Sequence, residues 1–94
     1  MALARAVTFE GVTQQRIDEL QDEIENQERP EGLNPTEIVV LHDADASEAL
    51  VVLFFDSEDE YTSGDAVLDA MPAGETPGQR SSIRKYNVAL RQSM

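Results

Sequence analysis

From Leu3 to Phe9 large and small side chains alternate, with Leu3, Val7 and Phe9 on one side and Ala4, Ala6 and Thr8 on the other. That two-residue period predicts a β-strand. Arg5 shares the side of Leu3 and Val7, which places it near the open end of a core or pointing into a cavity. Gly11 breaks the pattern, and from about Thr13 to Gln27 the apolar positions Ile17, Leu20 and Ile24 recur at helical spacing. Thr13 suits the N-cap, Asp18, Asp22 and Glu25 take the opposite face, and Pro30 and Gly32 end the helix. Two apolar, largely β-branched runs follow, Thr36 to His42 and Ala49 to Phe55, joined by a polar turn with Asp43, Asp45 and Ser47. They read as a hairpin. Ser57 and Glu60 have the spacing of a capping box, predicting a helix that presents Tyr61, Val67, Leu68 and Met71, is weakened in its middle by Gly64 and closes at Met71-Pro72. Residues 73–79 form a loop by composition, and Ser81 to Arg91 reads as a last strand with Tyr86, Val88 and Leu90 on one face, which Arg84 shares, Lys85 and Asn87 on the other, and Ile83 breaking the strict alternation.

The order strand, helix, strand, strand, helix, strand is the split βαβ arrangement of ferredoxin-like domains, and it predicts one α+β domain over residues 1–94: a four-stranded antiparallel sheet with two helices on one face. The other face should be polar if it meets water. Instead the second and third strands are apolar on both faces, and no third helix exists to cover them. Leaving several Val, Leu and Phe side chains wet, at about 25 cal/mol per Å², would consume the stability of a domain this small. A homodimer through the sheet faces is the expected solution, with Val40 and Val52 as the positions where a Glu should disrupt it.

Composition narrows the chemistry. The 94 residues carry 19 acidic and 7 basic side chains, a formal charge of −12, which disfavours nucleic acid and anionic membrane surfaces as partners. All the acids lie in residues 1–79, where the bases are Arg5, Arg16 and Arg29; residues 80–94 hold Arg80, Arg84, Lys85 and Arg91 and no acid. A cationic strand seated against an acidic domain, or against an acidic second copy, accounts for the asymmetry; an anion-binding strand is the sharper alternative. The absence of cysteine removes disulfides, thiol catalysis and Fe–S clusters. No apolar run approaches the roughly 18 residues of a membrane span, and the N-terminus lacks the pattern of a signal peptide. A cytoplasmic location is expected.

The segments Leu53-Phe54-Phe55-Asp56-Ser57-Glu58, Met71-Pro72, Thr76-Pro77-Gly78-Gln79-Arg80 and Tyr86-Asn87-Val88-Ala89-Leu90 are similar to those of small uncharacterised actinobacterial proteins of the dimeric α/β-barrel superfamily. In that superfamily two ferredoxin-like subunits pack their sheets into a shared barrel, and its members include antibiotic-biosynthesis monooxygenase-like proteins and small isomerases. The resemblance spans nearly the whole chain and implies a fold rather than a reaction. Cofactor-free monooxygenases of the group rely on Trp, Asn, Tyr or His in the cavity; this chain has no Trp, and no catalytic residue carries over.

Candidate chemistry is sparse. His42, the only histidine, stands beside Asp43 and is a candidate general base that more often would be a satisfied turn residue. Tyr86 and Tyr61 can each present a phenol, Tyr86 as a second candidate for proton transfer, although packing is the commoner use of a tyrosine. Asp43-Ala44-Asp45 lacks the further ligands of a calcium loop, and Asp56-Ser57-Glu58-Asp59-Glu60 suits the positive end of a helix dipole better than a cation. The glycines at 74 and 78 precede a strand and lack the lysine of a phosphate loop. No metal or cofactor is called for. If a cavity lies between two sheets, Arg5, His42, Arg84 and Tyr86 could reach it, offering cationic and phenolic donors to an acidic or phenolic small molecule. The expected function is small-molecule binding, with a cofactor-free monooxygenase-like or isomerase-like enzyme, or an interaction module docking through its acidic helix faces, as alternatives.

Overall fold

The computed structural model describes residues 2–26, 30–71 and 76–94. The elements run β1 (Leu3–Glu10), α1 (Gln14–Asn26), β2 (Glu37–Asp43), β3 (Glu48–Phe55), α2 (Glu58–Asp69) and β4 (Gln79–Asn87). The strands form one antiparallel sheet in the order β2-β3-β1-β4. This is the ferredoxin-like βαββαβ topology, with the N-terminal strand and the second hairpin strand at the centre. Register fixes which side chains share a face, because a strand alternates sides at every residue. Leu3, Arg5, Val7 and Phe9 of β1 stand opposite Phe55, Leu53, Val51 and Ala49 of β3, and all eight are buried. Ile17 of α1 and Tyr61, Val67 and Leu68 of α2 pack against this side, so both helices cover the same face.

Local chemistry sets the ends of the elements. Thr13 caps α1, its Oγ1 accepting from the Arg16 N–H at 3.1 Å, and Ser57 caps α2, its Oγ accepting from the Glu60 N–H at 3.2 Å. Gly64, expected to weaken α2, is instead where the helix meets the sheet: a Cβ there would lie 2.6 Å from Phe55 Cε1. The last strand is shorter than the sequence pattern indicates. It ends at Asn87 because β1 begins at Leu3; the Val88 N–H still donates to the Ala2 carbonyl at 3.0 Å, but among the described residues no neighbouring strand continues beyond it. Ile83 does not break the alternation of β4. It pairs with Val7 on the helix side, while a bulge opposite Thr8 and Phe9 takes up the extra residue Ser81. Val40 also falls on the helix side, opposite Val51, whereas Val52 and its partner Val39 lie on the other face. The expectation that Val40 and Val52 share the surplus face is thereby corrected. The helix break placed on Pro72 and most of the loop 73–79 lie outside the described residues.

Candidate functional site

Among the described residues no helix packs on the second sheet face, and its composition follows from the register. Its central rows are Arg84–Ala6–Val52–Val39 and Ser82–Thr8–Leu50–Leu41; a third row places Tyr86, Ala4, Phe54 and Glu37 at one end. Leu41 is 56% and Tyr86 46% exposed. On β1 this face carries the small Ala4 and Ala6, set between the larger Phe54 and Val52 of β3 and Tyr86 and Arg84 of β4. At the opposite end, Glu10, Glu48 and Asp43 stand side by side on three adjacent strands, all exposed. Like charges directly opposite one another oppose sheet formation, so this row is held in place by the apolar pairs beside it.

Arg84 stands out electrostatically. Arg5 pairs with Asp65 (2.8 Å) and Asp69 (3.3 Å), Arg16 with Glu23 (3.1 Å), Arg80 with Asp69 (2.9 Å), Lys85 with Glu58 and Arg91 with Glu37. Among the described residues Arg84 is the one basic side chain without a carboxylate; its guanidinium lies 5.5 Å from the centre of the Tyr86 ring. The C-terminal asymmetry of charge is therefore mostly answered within the chain. Arg91 also rests on the Phe54 ring, 4.4 Å from its centre, so the segment after β4 crosses the end of the open face.

The residues singled out from sequence divide between the two faces. Arg84 and Tyr86 lie together on the open one. Arg5 does not join them: it is 2% exposed on the helix side and held by two aspartates of α2, the paired state in which an arginine can be buried. His42 also points to the helix side, opposite Ala49. Its Nε2 lies 3.0 Å from the Val12 carbonyl, and a carbonyl can only accept, so Nε2 carries the proton. Tyr61 is buried on α2, edge-on to Phe55 with ring centres 5.6 Å apart, beneath the Lys85 ammonium at 4.8 Å. Burial, followed by the nearby Asp65 carboxylate, pushes its phenol above the ordinary value of 10.0. Of the five candidates, Arg84 and Tyr86 lie on the open sheet face.

Sequence reasoning missed Arg91, Glu37 and the row Glu10–Glu48–Asp43. Parity within each strand was available for the acids, but their alignment across strands needs the register. Among the described residues no group of three or more His, Cys, Asp or Glu side chains is arranged to hold a metal ion. Two shallow clefts, one on α1 at Glu19, Asp22, Glu23 and Asn26, the other between β1 and the start of α2 at Leu3, Ser57 and Glu58, include neither Arg84 nor Tyr86.

A crystal structure from Chloroflexus aurantiacus J-10-fl, provisionally named an antibiotic biosynthesis monooxygenase, matches the fold with a TM-score of 0.64 over 99% of this chain and 98% of that one, at 13% sequence identity. No family model matches the sequence, and no curated protein does. The likeness establishes a shared ferredoxin-like architecture along the full chain.

Proposed function

We propose that this chain is one half of a homodimer whose open sheet faces meet, and that the space between them binds a small organic molecule with an apolar body and an acceptor oxygen. The observation that carries the reading is the open face itself: largely apolar and, among the described residues, covered by no helix and bearing an arginine without a carboxylate beside a tyrosine. Surface area supports it. The chain exposes 6390 Å², whereas a folded monomer of 10.4 kDa exposes about 5,400 Å². Part of the excess belongs to the C-terminal segment, yet its size is that of one side of a standard protein interface, about 800 Å².

Within such a dimer the Tyr86 hydroxyl is the donor a ligand would meet, and Ala4 and Ala6 leave it room. The name of the structural neighbour favours a small organic molecule as the occupant. An enzyme of this architecture would draw on Tyr86 for proton transfer, since His42 faces the helices. A cytoplasmic location belongs to the same reading; among the described residues no helix is long and apolar enough to cross a membrane.

Sedimentation equilibrium together with native mass spectrometry of the protein as purified tests the proposal. A dimer mass at micromolar concentration with an organic adduct, or with an added aromatic acid retained, is the expected result. A monomer that keeps its fold with the sheet bare to water would overturn it.

A further inference from the structure

The open face is electrically polarised along its strands, and that polarity constrains how a second copy can sit on it. One half carries Arg84 on β4 and the Arg91 side chain lying on Phe54; of the carboxylates there, Glu37 is already taken by Arg91. The other end carries Glu10, Glu48 and Asp43 in one row across β1, β3 and β2. Among the described residues none of those three has a basic partner. Asp43 Oδ1 accepts only the Ala46 backbone N–H, at 3.2 Å.

A symmetric dimer presents the same patch from both subunits, related by a two-fold axis lying in the plane between the sheets. An axis along the strands keeps each end over its own equivalent. That arrangement stacks six carboxylates together and leaves both Arg84 guanidinium groups covered without an anion, which a desolvated charge resists strongly. Turning the axis away from the strand direction carries each acidic row over the half of the partner that bears Arg84. Packed sheets lie about 10 Å apart, a gap that an arginine and a glutamate reaching from opposite sides can close.

Resting on the homodimer reading, we infer that the two copies meet with their strands reversed or crossed, so that Arg84 of each subunit is neutralised by the acidic row of the other, Glu10 and Glu48 foremost. The partner is a second copy of this chain, and its recognition is charge-directed on an apolar ground. Apolar burial supplies the attraction, and the ion pairs fix the orientation. The acidic row, unfavourable in the isolated sheet, acquires its counter-ions only on assembly. The same arrangement leaves Tyr86 as the donor facing the chamber without a protein partner.

Charge exchange tests this directly. The dimer dissociation constant is measured by sedimentation equilibrium for the wild type, for Arg84→Glu, for Glu10→Lys/Glu48→Lys and for the combination of all three, with circular dichroism confirming that each folds. Both partial variants should weaken the dimer about tenfold or more, the combined variant should recover most of that loss, and Arg84→Gln should flatten the dependence of dimerisation on salt. A wild-type dimer indifferent to Arg84→Glu, or a combined variant no tighter than the worse of its parents, overturns the charge-directed orientation and leaves the dimer standing. Loss of an organic adduct in Arg84→Glu with the dimer intact also overturns it, by assigning the guanidinium to the ligand. A monomeric wild type removes the homodimer reading as well.

Discussion

At Gly64 the backbone of α2 approaches β3 so closely that an added Cβ would meet Phe55 Cε1 at 2.6 Å, Phe55 Cζ at 2.8 Å and Leu33 Cδ1 at 3.1 Å. Phe55 is fully buried and has nowhere to retreat. Gly64→Ala should therefore destabilise the protein by about 1–3 kcal/mol through overpacking, despite the better helix propensity of alanine; urea titration gives the sign. Tyr61 supplies a second test at this scale. Its phenol titrates higher folded than unfolded, so above pH 10 the unfolded chain loses that proton first and stability falls with rising pH. Tyr61→Phe should remove that part of the alkaline decline, visible as a flatter plot of unfolding free energy between pH 9 and the folded-state transition. Neither effect is legible in sequence: Gly64 reads there as a helix defect, and a tyrosine gives no sign of its depth.

The two helices, similar in length and both N-capped, are held very differently. Tyr61 and Gly64 of α2 are buried, and its acidic first turn, Glu58, Asp59 and Glu60, complements the helix dipole. No residue of α1 is buried, and Ile24, read from the pattern as part of its core face, is 45% exposed. Helical periodicity names the face that could pack but not whether a surface is there to receive it. Amide exchange should follow this ranking, with α1 exchanging through local opening well before α2, β1 and β3; equal protection of both helices would contradict the loose docking. Ser57→Ala should cost about 1 kcal/mol in thermal or chemical unfolding through the lost cap on α2. The contacts of Arg80 and Lys85 on β4 and of Arg91 beyond it, with α2 and β2, are largely exposed pairs, each worth up to about 1 kcal/mol and weakened by salt. They answer the charge asymmetry within one chain, leaving Arg84.

For the whole molecule, a single substitution at two sites separates the faces of the sheet. Val40→Glu places a carboxylate against the helix-side core and should lower stability by about 2 kcal/mol or more. Val52→Glu, on the open face, should leave the folded monomer intact by circular dichroism and raise the dimer dissociation constant at least about tenfold in sedimentation. A folded, fully dimeric Val52→Glu protein would move the interface away from the sheet. The two valines look alike in sequence, because β2 and β3 are apolar on both faces and a continuous apolar run hides which parity is which. Pairing across strands resolves them.

Element order, the strand and helix periods, both caps and the surplus of apolar strand surface are properties of short stretches of chain, governed by steric preference and local hydrogen bonding, and the sequence settles them unaided. Which charges find partners is a matter of register and packing, which make neighbours of Arg5 and Asp65 and of Arg91 and Glu37 across most of the chain. Arg5 and Arg84 both sit among apolar residues along the chain; only the packed sheet directs one beneath α2 to two aspartates and leaves the other on an uncovered face.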